Sequence, residues 1–362
     1  MPDMFSDLLL SWYDAHARAL PWRGIHNAYH TWVSETMLQQ TRVETVLSYY
    51  ERFIRRFPDV RSLAEAPLEE VLKLWEGLGY YRRAANLHRG AQQVMAEYGG
   101  KVPGDAAALR KISGIGDYTA GAIASIAFGQ QVPAVDGNVI RVVSRVRGIR
   151  DNVGVPSVRR RLQQEAAALV PAARPGDFNQ AMMDLGATVC VPGTPSCGRC
   201  PVAEMCDAYH AGDAEELPEM PRKNPPRDVD YDLCLIFSGG RVLMRQRTER
   251  MLQGLWVFPM LEEHHTPRQL PGLVRRSLGL RVSAPEAAGE ARHVFTHQVW
   301  HMRLYMMKAE KSGAPEGWRY VTPEEMDALA LPTAVGKAAA IVREKLKGGD
   351  LYAQDGPGAE NP

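Results

Sequence analysis

Four of the chain's five cysteines fall within seventeen residues: Cys190, Cys197, Cys200 and Cys206, spaced C-x6-C-x2-C-x5-C. Thiols brought together by loops this short hold something, and the fold around them must accommodate it. Structural zinc and iron–sulfur clusters both take four cysteine ligands. Two C-x2-C knuckles separated by a longer loop favour zinc. Here a single such pair stands between wider gaps, which suits a larger, cubane-sized object, so an iron–sulfur centre is favoured over zinc. Pro192, Pro195 and Pro201 stiffen the intervening loops and reduce the entropy lost when the ligands converge. Disulfide pairing is the weaker reading, since nothing upstream resembles a secretory signal.

The remaining bulk properties exclude little. A length of 362 residues suits about two domains. Lys+Arg 43 against Asp+Glu 42 leaves a net charge of +1, which neither supports nor excludes nucleic acid, because a phosphate-binding surface can be local. No apolar run approaches a membrane span, and the N-terminus lacks a basic-then-apolar leader. The expectation is a cytoplasmic protein, nucleoid-associated in a bacterium, with no membrane partner and a monomeric state. Cys234 sits in an apolar alternating run and is expected in a core.

From Phe5 to about Tyr209 apolar residues recur at helical spacing between Gly and Pro breaks. Beyond residue 230 the period changes to two, in Asp232–Phe237, Val242–Met244 and Trp300–Met306, with helices expected near Gly272–Leu278 and Ala334–Leu346. The predicted architecture is multi-domain. It has an all-α domain over 1–216 with the cysteine loop at 190–206, a Pro- and charge-rich linker at 217–230, an α+β domain over 231–346, and a disordered tail over 347–362.

Within the helical part, Ile112-Ser113-Gly114-Ile115-Gly116-Asp117-Tyr118-Thr119-Ala120 reads as helix, Gly-x-Gly turn, helix. Gly114 and Gly116 permit positive φ and close backbone approach, so the turn can present N–H groups to a phosphate at a helix N-terminus. An ordinary turn between core helices is the bland alternative; the small residues that follow favour a helix-hairpin-helix DNA element. Next comes Val132-Pro133-Ala134-Val135-Asp136-Gly137-Asn138, in which Asp136 is placed to cap a helix. A carboxylate held ionised there also suits a developing positive charge.

These motifs, in this order, resemble the helix-hairpin-helix, Gly/Pro-loop and aspartate superfamily of base-excision DNA glycosylases, over residues 5–210. The cysteine spacing is similar to its iron–sulfur branch, which includes endonuclease III and the MutY-type adenine DNA glycosylases. That resemblance implies one four-iron–four-sulfur cluster on Cys190, Cys197, Cys200 and Cys206. Bifunctional relatives carry a lysine nucleophile where this chain has Tyr118. Without an amine there is no Schiff base and no efficient β-elimination. The resemblance therefore implies a monofunctional enzyme.

Glu35, in Trp32-Val33-Ser34-Glu35-Thr36-Met37-Leu38, is flanked by apolar neighbours that would raise its pKa toward the range of a general acid. The stretch resembles the MutY-type catalytic helix, whose glutamate protonates the departing adenine. Glu35 and Asp136 would then divide the work as paired carboxylates do in sugar hydrolysis, with Tyr118 and Asn138 assisting. The same resemblance implies an adenine pocket from Trp22, Arg23 and Gln180. It implies DNA contacts from Gln40, Thr41 and Leu78 as well as Gly114 and Gly116, Leu78 being read as an apolar wedge between two glycines. Arg199 is placed to meet the DNA backbone. Met37, Met182 and Met183 are read as packing residues.

The C-terminal part resembles the MutT (Nudix) fold through Gly254-Leu255-Trp256-Val257-Phe258-Pro259. A hydrolytic Nudix segment needs glutamates where Leu273, Arg276 and Ser277 stand, so this domain is expected to bind rather than hydrolyse. His293, His297 and His301 recur every four residues, but the strand pattern spreads four residues over about 13 Å, too far for shared ligation. Phe295-Thr296-His297 matches the Phe-Ser-His loop that contacts 8-oxoguanine in the family, with threonine replacing serine. The implied partner is double-stranded DNA carrying adenine opposite 8-oxoguanine or guanine. The competing readings are an endonuclease III-like glycosylase/lyase and a non-catalytic, cluster-bearing DNA-binding protein.

Overall fold

The computed structural model describes residues 2–347 apart from 223 and 312. The tail expected to be disordered therefore lies, beyond 347, outside the described residues. Helices α1 (Pro2–His16), α2 (Ala28–Leu38), α3 (Val43–Arg56), α4 (Val60–Glu65), α5 (Leu68–Leu74) and α6 (Arg82–Glu97) open the chain. They are followed by α7 (Ala106–Leu109), α8 (Asp117–Phe128), α9 (Gly137–Val146), α10 (Pro156–Leu169), α11 (Pro175–Thr188) and α12 (Asp207–Ala211). The sheet region holds β1 (Arg227–Ser238), β2 (Arg241–Gln246), β3 (Trp256–Val257), β4 (Met260–Glu262), β5 (Glu286–Val294), β6 (Gln298–Lys308) and β7 (Arg319–Val321). Between and after these strands lie α13 (Leu270–Leu278), α14 (Pro323–Ala328) and α15 (Gly336–Lys347). Among the described residues no helix is long and apolar enough to cross a membrane.

The chain groups into two compact units, one of Met1–Ala66 with Arg83–Lys223, the other of Pro67–Arg82 with Asn224–Pro362. The first is all helix. Phe5 and Leu9 of α1 meet Val142 and Val143 of α9, Leu162 of α10, and Phe178 and Leu185 of α11 in one buried cluster. Two glycines set how closely its helices approach. A Cβ on Gly121 would lie 2.1 Å from the Pro133 carbonyl oxygen, and one on Gly186 would lie 2.6 Å from Asn138 Cβ. The first fixes α8 beneath the loop before Asp136, and the second fixes α11 against the start of α9.

The second unit is built on a sheet ordered β3-β2-β1-β6-β5, with β4 on β1 and β7 on β2. β1 and β6 run parallel from Arg227↔Gln298 to Phe237↔Lys308. β1 begins within the stretch read as a linker. Alternation along β1 sends Leu233, Leu235 and Phe237 to one core and Cys234 and Ile236 to another, so the expected core position of Cys234 holds. The segment 67–82 joins this unit through polar ties: Glu69 accepts from Trp256 Nε1 (3.1 Å) and Gln246 Nε2 (3.2 Å), and Glu76 accepts from the Leu331 N–H (2.9 Å). His293, His297 and His301 do not lie along one strand, the run expected from the alternation: His293 is on β5, His297 in the turn and His301 on β6. His301 Nε2 meets Asp228 Oδ1 at 2.6 Å, and the His293 ring packs on Phe295.

Candidate active site

α2 starts at Asn27, whose side chain accepts from the N–H groups of Tyr29 and His30. Trp32, Val33 and Met37 of this helix are buried, and Glu35 between them in sequence is itself only 5% exposed. Burial pushes the Glu35 carboxyl up to about 7. The hydrogen bond from Tyr118 opposes that push, the Asp136 charge adds to it, and Arg23 pulls it back. The Tyr118 hydroxyl donates to Glu35 Oε2 and also touches Met183 Sδ at 3.7 Å. Burial, with the charges of Glu35 and Asp136, holds Tyr118 well above the usual phenol range, so it is a proton-bearing donor. Met183, expected only to pack, thus reaches the site.

Asp136 is the N-cap of α9, its Oδ1 accepting from the Val139 N–H at 2.8 Å. Its Oδ2 accepts from Asn138 Nδ2 at 2.8 Å. Burial raises its pKa, and the hydrogen bonds from Val139 and Asn138 oppose the rise. Arg141 backs this pair: Nη2 donates to Asn138 Oδ1 (2.9 Å) and Gly186 O (2.6 Å), while Nε donates to the Cys190 carbonyl (2.7 Å). The cap thus holds a buried carboxylate at the start of α9 with both oxygens hydrogen-bonded.

Trp22 is buried edge-on to Tyr50, ring centroids 5.1 Å apart. Arg23 forks onto Asp184, Nη1 to Oδ2 at 2.7 Å and Nη2 to Oδ1 at 2.9 Å, and Asp184 also accepts from Arg18 Nε at 2.9 Å. Arg18 was not singled out in the sequence. The available signal was Asp184, a lone acid within an apolar helical stretch that required cationic partners. Gln180 is half-buried on α11, its amide 3.4 Å from Gly176 O. Gln40 is exposed with φ +59, and Thr41 follows it in the turn after α2.

In the hairpin between α7 and α8 the two glycines differ. Gly114 has φ +83, and a Cβ there would lie 2.7 Å from Asn86 Cβ. Gly116 is extended (φ −91, ψ −177), with open space at its Cβ position, and serves as the N-cap of α8 without a side-chain cap bond. The expectation of positive φ holds for Gly114 and is corrected for Gly116. Leu78, expected as a wedge, is 5% exposed, whereas Tyr80 is 49% exposed. The Tyr80 hydroxyl lies 3.1 Å from Thr296 Oγ1 in the β5–β6 turn. Phe295 packs on Trp300 behind that turn, leaving Thr296 and His297 exposed.

Cys190, Cys197, Cys200 and Cys206 line one cavity together with Val142, Arg145 and Leu185. Among the described residues no group of three or more His, Cys, Asp or Glu is placed to hold a single metal ion. The donor set is instead spread around a space. Arg145 is 1% exposed and donates Nη1 to Cys190 Sγ (3.2 Å) and to Val191 O (2.9 Å). Backbone N–H groups of Val202, Ala208 and Tyr209 point at the sulfurs of Cys200 and Cys206. A cavity walled by four sulfurs with donors aimed at them fits a thiolate-bound group. Burial pushes the Cys200 thiol up to about 11, so binding must displace its proton. Arg199 is exposed beside it.

The fold and site define a class. Residues 33–168 match the HhH-GPD superfamily base excision DNA repair protein family, and residues 233–340 match the NUDIX domain. A solved thermostable thymine-DNA glycosylase aligns with a TM-score of 0.53 and 28% identity, covering 58% of this chain and 97% of that one. The adenine DNA glycosylase of Mus musculus is 39% identical over 95% of this chain and 79% of its own length. That of Homo sapiens is 37% identical over 92% and 73%. The chain belongs to the adenine DNA glycosylases, base-excision repair enzymes that pair a helical glycosylase domain with a Nudix domain.

Proposed function

We propose that the protein hydrolyses the N-glycosidic bond of adenine paired with 8-oxoguanine, or with guanine, and leaves the DNA strand intact. The observation that carries this is Glu35, buried, raised to about 7 and hydrogen-bonded by Tyr118 where a lyase needs an amine. In the reaction the protonated Glu35 carboxyl gives its proton to the departing adenine as the C1′–N9 bond breaks. Asp136 faces the cationic sugar, its charge held in place by Asn138 and the Val139 N–H. Water then adds to C1′, and its proton leaves to a carboxylate. Tyr118 keeps one Glu35 oxygen occupied, which leaves the other for the base. Trp22, Arg23 and Gln180 serve as the adenine pocket; Gln40 and Thr41 follow the extruded nucleotide; Gly114 and Gly116 receive phosphate at the uncapped start of α8, while the buried Leu78 is left as a packing residue. Phe295, Thr296 and His297 read 8-oxoguanine, with Tyr80 added to that set by its contact with Thr296.

Excision is assigned to the helical domain and mispair recognition to the α+β domain, a division supported by the HhH-GPD match over 33–168 and the NUDIX match over 233–340. Cys190, Cys197, Cys200 and Cys206 would hold a four-iron–four-sulfur cluster, which would crosslink the 190–206 loop that carries the exposed Arg199. Iron and acid-labile sulfide in the purified protein test that assignment, and zinc in their place contradicts it.

The activity is tested by incubating the protein with duplexes that place adenine opposite 8-oxoguanine, guanine or thymine, then cleaving abasic sites with alkali. Strand scission that requires alkali is expected in the first two duplexes. No base release opposite 8-oxoguanine sinks the proposal, and a borohydride-trapped protein–DNA adduct replaces it with a lyase.

A further inference from the structure

The helix carrying Glu35 ends without the glycine that usually closes a helix in the left-handed region. Its C-cap is Gln39 (φ −57, ψ 111), and the left-handed position falls on Gln40, φ +59. A non-glycine residue there is strained and persists only where its surroundings enforce it. One side chain ties that turn at several points. Arg83, near the start of α6, donates Nη1 to the carbonyls of Thr36 (2.9 Å), Met37 (2.8 Å) and Gln39, and Nη2 to Thr41 Oγ1 (3.2 Å). The cation also sits at the negative end of the α2 dipole. Gln39 is held on its other side, its Nε2 donating to Thr119 Oγ1 at 3.2 Å. With both neighbours tied down, Gln40 is left exposed at the apex of a fixed turn.

We infer that Arg83 is a positioning residue for nucleotide extrusion: its guanidinium builds the turn that projects Gln40 and Thr41 toward the DNA stack. This rests on the assignment of those two residues under the proposed function. Arg83 acts through the α2 end and Thr41, the groups to which its guanidinium donates. Lysine cannot replace it, because a single ammonium does not span the helix-end carbonyls and the Thr41 hydroxyl with a planar fork.

The test places 2-aminopurine, an adenine analogue whose emission rises on unstacking, opposite 8-oxoguanine and measures emission in the full chain carrying Glu35→Gln. Adding Arg83→Lys is expected to reduce the emission rise about ten-fold and, with Glu35 intact, to slow single-turnover adenine excision by a similar factor. Binding to a duplex with a stable abasic analogue, where no base needs extruding, stays unchanged, as does the pH midpoint of excision. Wild-type emission in the Arg83→Lys protein overturns the inference, and so does an equal loss of binding to the abasic duplex. If Arg83→Lys melts below wild type, Arg83→Gln, which keeps a planar donor, is read against the same outcomes. Failure of the functional reading is separate: the protein with Glu35 and Arg83 intact then releases no adenine opposite 8-oxoguanine, whatever Arg83→Lys does.

Discussion

A carboxyl that must be both buried and protonated near neutrality sets the chemistry at the scale of single residues. Glu35 is raised from 4.5 to about 7, so its folded form binds a proton more tightly than its unfolded form. That makes a stability contribution fully present below the unfolded value and lost as pH rises through the folded one. At pH 8 the buried carboxylate costs about 3 kcal/mol relative to acid conditions. Glu35→Gln is therefore expected to be inactive yet to melt higher than wild type at pH 8 and close to it at pH 5; thermal melts at the two pH values check this. Tyr118→Phe removes the hydrogen bond that pulls Glu35 down. The alkaline limb of the rate profile should then move to higher pH, with a slower maximum. A limb that moves to lower pH contradicts the assigned role of the hydroxyl.

Among elements, the close approach of α11 and α9 sets where Asp136 sits. The ideal Cβ of Gly186→Ala meets Asn138 Cβ at 2.6 Å and the Asn138 carbonyl oxygen at 3.1 Å, neither of which is a flexible end. The substitution is expected to destabilise by about 2 kcal/mol and to slow excision beyond what the loss of folded protein explains, because Asn138 is displaced from Asp136. Denaturant melts and single-turnover rates on the same preparation separate the two. This contact was not legible in the sequence, where Gly186 is one small residue within a helix. What could be read were devices closed over a few residues: the cysteine spacing, the Gly114 turn, and the Asp136 cap with Asn138 two positions on. Pairings across the chain left no local mark. Asp184 lies 161 residues from Arg23 and 166 from Arg18, and Arg83 lies 42 from Thr41.

In the molecule as a whole, the change of hydrophobic period near residue 230 marked two domains, and the two family matches fall on either side of it. The periodicity could not show that 67–82 groups with the sheet-bearing unit, since that depends on Glu69, Lys73 and Glu76 meeting Trp256, Leu329 and Leu331. Nor could it choose between Leu78 and Tyr80 as the exposed residue of a glycine-flanked loop. Within that unit Thr296 meets Tyr80, which links the β5–β6 turn to a residue more than two hundred positions upstream. Thr296→Ala removes the pair and is expected to lower the preference for adenine opposite 8-oxoguanine over adenine opposite guanine by about five-fold, the scale of one hydrogen bond. Paired excision rates on the two duplexes measure it; an unchanged ratio removes Thr296 from the recognition set.

The central claim is that Glu35 is the acid that releases adenine, and the single-turnover rate on a duplex with adenine opposite 8-oxoguanine, followed across pH 5–9, tests it most directly. The rate is expected to fall as pH rises, with its midpoint near the value of about 7 set by burial, and Glu35→Gln is expected to excise nothing at any pH. A flat profile through pH 9, or a Glu35→Gln protein that still releases adenine, contradicts it.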